Sequence, residues 1–258
     1  MNLEPVAAVA LALLGLAVGS FLNVCIHRLP RGLSVISPGS RCPQCGYALR
    51  WYDNIPVLSY LLLGGRCRGC RTRISIRYPL VELATMGVFL AHYAVFGLDI
   101  LLIPRLLFAC TLIVLFAIDL EHHLLPNAIT LPGIAVGLAF SALLAPGLRS
   151  SAIGVLVGGG VLWLIGEAYY RYAGQEGMGG GDVKMLAMIG AFLGWQLTLV
   201  TLVFSSIAGS LVGMLVIAIR RGGLKYALPY GTFLALGALI ASLFGDRIVA
   251  WYVGLYSV

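Results

Sequence analysis

Apolar residues in this chain gather into long uninterrupted runs. Runs of about 18–20 apolar residues match the hydrocarbon thickness of a bilayer when coiled into a helix. Eight such segments are predicted, at approximately 5–25, 79–98, 101–118, 127–146, 151–170, 183–195, 197–219 and 228–245, the sixth being the shortest. No Lys or Arg precedes the first run, and it is longer than the apolar core of a signal peptide, so it reads as a retained helix. The pattern predicts an all-α polytopic membrane bundle of about eight transmembrane helices. It divides the chain into a first transmembrane helix (1–25), a polar loop (26–78) and a bundle (79–258).

Composition agrees. Apolar residues make up 60% of the 258 and charged residues 10%, where a soluble domain carries about a quarter charged. A soluble core is therefore excluded. The few charges are also ordered along the chain. Loop 26–78 holds nine arginines, from Arg28 to Arg77, and a single acid, Asp53. The positive-inside rule makes this loop cytoplasmic and the N-terminus external. Alternating eight spans from there puts 14 of the 17 basic residues inside, including Arg171, Lys184, Arg220, Arg221 and Lys225; only Arg105, Arg149 and Arg247 fall outside. Such arginines orient spans and meet anionic lipid headgroups. They come with no aromatic-basic platform, so nucleic acid is not an expected partner.

Four of the six cysteines lie in the same loop, as Cys42-Pro43-Gln44-Cys45 and Cys67-Arg68-Gly69-Cys70. Two CxxC knuckles at this separation predict a tetrahedral structural zinc site with four thiolate ligands. Gly46 and Gly69 are expected to relax the two turns. Disulfides are disfavoured in a reducing cytosol. A set of four thiolates leaves no open position for water, so catalytic zinc is not expected. Cys25 and Cys110, in or beside apolar runs, read as packed small side chains.

Only ten acids occur in the chain, so each is informative. Asp119 ends the third run, before Glu121-His122-His123 and Leu125-Pro126-Asn127. Asp182 opens the sixth, in Gly177-Met178-Gly179-Gly180-Gly181-Asp182-Val183-Lys184. The topology places both at cytoplasmic ends of spans, so they can meet at one depth. Acids at membrane depth are costly and point to function. Two carboxyls brought together share one proton, leaving one to activate water and the other to protonate a carbonyl oxygen. Asp119 and Asp182 are thus the candidate catalytic pair of an intramembrane aspartic peptidase. Gly179 and Gly181 would support it by permitting close backbone approach, and Lys184 either snorkels to the interface or holds the pair's charge. Read singly, Asp182 is a helix N-cap and Asp119 a solvated helix end. Glu82, inside the second run, is structural or lines a second site. Glu121 reads as solvated and His122 and His123 as interfacial; without HExxH, a zinc-protease reading has little support.

These residues resemble the bacterial type IV prepilin peptidases, or prepilin leader peptidase/N-methyltransferases, over nearly the whole chain. The likeness runs from Gly19-Ser20-Phe21-Leu22-Asn23-Val24 and Arg28-Leu29-Pro30 through both knuckles, Asn54-Ile55-Pro56 and Arg77-Tyr78-Pro79-Leu80-Val81-Glu82. It continues through Asp119, Leu125-Pro126-Asn127 and the Gly177–Lys184 segment to Leu228-Pro229-Tyr230-Gly231. The resemblance implies an endopeptidase of the bacterial inner membrane. It would cut the basic leader from prepilins and pseudopilins at the cytoplasmic face, with Asp119 and Asp182 as the family's aspartates. It also implies N-methylation of the new N-terminus from S-adenosyl-L-methionine, an activity the family associates with the four-cysteine loop. No sequence motif locates the methyl donor. A basic leader beside so many arginines would need acids such as Glu121 or Glu176, or lipid, for its recognition. Two other functions compete: a presenilin-like peptidase with other membrane substrates, which needs no cysteine loop, and a proton-coupled transporter, which needs acids near the bilayer midplane.

Overall fold

A computed structural model describes residues 4–175, 177–220 and 228–255; Glu176, Arg221, Lys225 and the Arg220 side chain lie outside this set. Among the described residues the fold is all-helical: α1 (Pro5–Arg28), the short α2 (Leu58–Leu62), α3 (Arg77–Phe96), α4 (Leu102–His122), α5 (Asn127–Leu143), α6 (Leu148–Ala173), α7 (Gly180–Arg220) and α8 (Tyr230–Gly254). Six of them, α1, α3, α4, α6, α7 and α8, are long and apolar enough to cross a membrane, and α5 is apolar but shorter. The protein is a multi-pass membrane protein.

The runs at 183–195 and 197–219 meet in α7, whose backbone leaves helical geometry at Gly194 (φ 76°, ψ 171°). That φ suits glycine and is unfavourable for a residue with a Cβ. The break is sharp. A Cβ placed at Gly158 of α6 would lie 2.5 Å from the Leu186 carbonyl oxygen and 3.2 Å from Thr198 Cγ2. In a straight helix those two residues stand about 18 Å apart along the axis. α7 therefore doubles back at Gly194, and both halves pack on α6.

The chain divides into two compact units, 1–102 and 103–258. In the first, α1 packs along α3. Gly15 and Gly19, four apart on one face, come so close that an added Cβ would stand 2.7 Å from the Cα atoms of Met86 and Glu82 respectively. Lipid supplies no hydrophobic drive between spans, so such close backbone approach is what holds them. The loop is tied to this pair where the Val57 N–H donates to Glu82 Oε2 at 2.7 Å.

The second unit builds its core from α4 (Phe108, Leu112, Leu115), α6 (Leu162), α7 (Met185, Met188, Ile189) and α8 (Leu234, Ala238). The Phe108 and Phe192 rings stack at 4.8 Å. Polar groups inside find partners, as an oily surrounding requires: Ser151 donates to Ser141 at 2.8 Å, and Ser141 to the Ala191 carbonyl at 3.0 Å.

Candidate active site

α4 carries Asp119 near its last turn. The side chain is buried, and its Oδ2 accepts from the Thr232 backbone N–H at 2.6 Å and the Thr232 hydroxyl at 3.0 Å. Thr232 lies in the first turn of α8, where backbone N–H groups have no intrahelical partner and the helix dipole favours a carboxylate. Asp182 lies in the first turn of α7, its N–H bonded to the Gly179 carbonyl at 3.1 Å. It is inside the helix rather than its N-cap. Asp182 Oδ1 is buried and has no hydrogen-bond partner among the described residues.

Leu125 joins the two sides. A Cβ at Gly181 would stand 3.0 Å from Leu125 Cβ, and one at Gly231 would stand 2.8 Å from Leu125 Cδ1 and 3.0 Å from Asp119 Oδ2. Asp119 and Asp182, 63 positions apart in the chain, are thus brought to the two sides of one leucine. A side chain at Gly179 would meet Asp182 Oδ2 at 3.3 Å, whereas one at Gly180 would meet open space.

In the loop of the first unit, the sulfurs of Cys42, Cys45, Cys67 and Cys70 all lie within 4.8 Å of one another. The Cys42–Cys70 and Cys45–Cys67 separations are 3.8 and 4.0 Å. Four thiolates about 2.3 Å from a central ion stand about 3.8 Å apart, while a disulfide needs about 2.05 Å. The donor set fits a tetrahedral metal and no disulfide. The two knuckles repeat one turn: Cys42 N–H to Tyr47 O and Gly46 N–H to Cys42 O in one, Cys67 N–H to Thr72 O and Arg71 N–H to Cys67 O in the other. The positive-φ position is filled by Gly46 (71°) in the first and by Arg71 (60°) in the second. Gly69 thus does not play the expected turn role; its space is limited by the Tyr47 side chain 3.3 Å away.

Asp53 links the knuckles, accepting from Arg68 Nε at 2.6 Å, the Tyr47 hydroxyl at 3.0 Å and the Arg50 N–H at 3.2 Å. Burial opposes its charge, but Arg68, the Arg50 N–H and Tyr47 outweigh it and hold the carboxyl below the usual range. The thiols differ. Thr72 pulls Cys70 down to about 6 through its hydroxyl and backbone N–H. Cys45 is pushed up to about 11: the Tyr47 N–H opposes this, but desolvation and the three neighbouring thiols prevail.

Two family models match the chain in succession, the bacterial peptidase A24 N-terminal domain over residues 13–96 and the type IV leader peptidase family over 106–214. The chain is 39% identical to a prepilin leader peptidase/N-methyltransferase of Pseudomonas putida, over 97% of this chain and 95% of that protein. It is 38% identical to the one of Pseudomonas aeruginosa, over 93% and 91%, and 44% to that of Myxococcus xanthus, over 85% and 66%. The chain belongs to the type IV leader peptidase family. No solved structure matches it.

In this A24 peptidase the remaining sequence candidates find definite places. Lys184 donates to Asn127 Oδ1 at 3.0 Å, which ties α7 to the first residue of α5 just after Leu125-Pro126. His122 Nε2 faces Glu121 Oε2 at 3.9 Å. His123 ends α4 with φ 50°, its N–H on the Asp119 carbonyl at 2.9 Å. Neither histidine joins a metal-ligand cluster among the described residues. Glu82, in the first unit, accepts from the loop at Val57. Sequence reasoning missed Thr232. The only signal was its position just after Leu228-Pro229-Tyr230-Gly231, a helix start whose free N–H groups suit a carboxylate.

Gly181→Val is expected to lower cleavage roughly 10- to 100-fold, because displacing Leu125 misplaces the reacting groups. Gly180→Ala, facing open space, is expected to cleave at the wild-type rate. Initial rates of both variants on one prepilin substrate test this contrast; equal rates would remove the packing argument.

Proposed function

We propose that this chain removes the basic leader of type IV prepilins and pseudopilins and N-methylates the new terminus, with Asp119 and Asp182 as the peptidase pair. The observation that carries the reading is two otherwise distant aspartates brought to the two sides of Leu125, Asp182 in the first turn of α7 and Asp119 bonded to the first turn of α8. One carboxyl accepts a proton from water as it attacks the scissile carbonyl; the other donates a proton to the carbonyl oxygen. Gly179 leaves the space before the Asp182 carboxyl open to substrate, Gly181 lets Leu125 pack against the start of α7, and Lys184 supports the site through α5. A prepilin's apolar helix enters from lipid while its basic leader stays in the cytoplasm. Glu121 offers the leader an acid beside Asp119.

The enzyme crosses the bacterial inner membrane eight times when the two halves of α7 are counted separately, with the N-terminus outside and the pair facing the cytoplasm. The first unit divides into a span at 1–25 and a loop at 26–78 that bears a structural zinc on Cys42, Cys45, Cys67 and Cys70 and belongs to the methyltransferase region; within 79–258, α3 packs with this unit and the part from 103 on supplies the peptidase bundle. S-adenosyl-L-methionine supplies the methyl group. No nucleic acid partner is proposed; lipid is the other contact.

Incubating the purified protein in detergent with a prepilin, with and without the methyl donor, tests the reading. The expected products are the leaderless chain and, with donor, the same chain carrying one methyl group on its N-terminus. An intact prepilin after prolonged incubation, together with cleavage of unrelated membrane peptides, would favour the presenilin-like alternative.

A further inference from the structure

The first unit holds an open cavity of about 480 Å³ walled by α1, loop 26–78 and α3, within the range of about 300–1,000 Å³ that holds small-molecule ligands. Two buried acceptors line it. Asn23, 1% exposed, spends its amide N–H groups on the carbonyls of Gly19 (3.3 Å) and Tyr78 (3.0 Å). Its Oδ1 is buried and has no donor among the described residues. Buried acceptors are almost always satisfied, so this one marks a place for a ligand's donor. Glu82, 7% exposed, accepts from the Val57 N–H at 2.7 Å and from the Ser20 side chain. Arg41 and Arg73 line the same cavity. A carboxylate and an amide oxygen suit an aliphatic ammonium, which brings three donors and a positive charge, and guanidinium groups suit a carboxylate.

We propose that this cavity is the methyl-transfer site, and that Asn23 Oδ1 and the Glu82 carboxylate bind a primary amine there. The inference rests on the methyl-transfer half of the reading above. Two sources supply that amine: the freshly cut N-terminus, or the amino-acid end of the sulfonium methyl donor. In the first case Glu82 takes a proton from the ammonium. The neutral nitrogen then attacks the methyl carbon, the N–C bond forms as the C–S bond breaks, and the sulfur keeps the electron pair as a thioether. The product is a secondary ammonium.

Two experiments test this. Ultraviolet crosslinking of labelled S-adenosyl-L-methionine to the wild-type protein is expected to mark peptides within 20–31 or 40–82. Label confined to 103–258, or no label that unlabelled donor displaces, would overturn the site. The second supplies a leaderless peptide with a free N-terminus, so methyl transfer is read without cleavage. Glu82→Gln keeps an oxygen for the Val57 N–H and removes the charge, and is expected to lower transfer at least 100-fold. Asn23→Asp, which keeps an acceptor, is expected to transfer at least tenfold faster than Asn23→Leu, although both lose the bonds to Gly19 and Tyr78. Wild-type transfer by Glu82→Gln, or equal transfer by the two Asn23 variants, would overturn the assignment. Calorimetry with S-adenosylhomocysteine then separates the sources. Binding to Glu82→Gln within twofold of wild type assigns the amine to the peptide, and binding weakened tenfold or more assigns it to the donor. Because neither experiment needs a cut leader, a chain that failed to cleave prepilin would refute the peptidase reading alone.

Discussion

Asp119→Asn and Asp182→Asn are each expected to lower leader cleavage by about three orders of magnitude or more, within or beyond the range for losing a general acid or base. The protein is expected to stay folded. At position 119 an amide oxygen still accepts from the Thr232 N–H and hydroxyl, so the start of α8 keeps its partner. At position 182 Oδ1 has no partner among the described residues to lose. What disappears is a group able to take up or give a proton, and with it the sharing of one proton between two carboxyls. Cleavage rates of both variants, purified to the same yield and monodispersity, measure the effect. A wild-type rate from either one would remove the pair from the mechanism.

The second large effect concerns the cysteines. Purified protein is expected to carry about one zinc per chain, and Cys67→Ser to release it. Cys67 is the buried member of the four, at 6% exposed, so its loss leaves a hydroxyl among thiols in the best-shielded corner of the cluster. The loop has little else to hold it: two single-bridge turns, a five-residue helix and the Asp53 network. In small domains of this kind metal binding supplies folding free energy. Each thiol must lose its proton to bind metal, so binding strengthens as pH rises and acidification is expected to release the ion. Metal analysis of wild type and variant across a descending pH series reads both outcomes. Methyl transfer is expected to fall with the metal while cleavage survives in part. Equal loss of both activities in a Cys67→Ser protein that still inserts would make the loop part of the peptidase.

Much of this protein was legible from one sequence because the bilayer simplifies the reading. A span must be apolar for its whole length, so the eight runs stand out. Each falls on a helix, or on one half of α7. The scarcity of acids does the same for chemistry: with ten in 258 residues, two at the ends of spans are conspicuous. The cysteine spacing predicts the convergence of four sulfurs, because each CxxC turn aims its pair locally. Where the prediction slipped, the cause was equally local. Gly69 has turn-permissive chemistry, but the fold places the left-handed backbone at Arg71, matching Gly46 in the other knuckle.

The sequence by itself determined the membrane class, the helical content, the four-cysteine cluster and the candidate pair of aspartates, since all of these are written in runs and spacings along the chain. The tertiary structure alone decided which groups meet. Thr232 lies 113 positions from Asp119 yet donates two hydrogen bonds to its carboxylate. Leu125 spans the gap between the glycines beside each carboxyl. Lys184 turns to Asn127, and Asn23 and Glu82 face one cavity. Helix periodicity says which face of a span is buried but not which neighbour it meets. In lipid the neighbour is chosen by close packing at small residues such as Gly19 and Gly158, and that match of surfaces exists only once the helices are side by side.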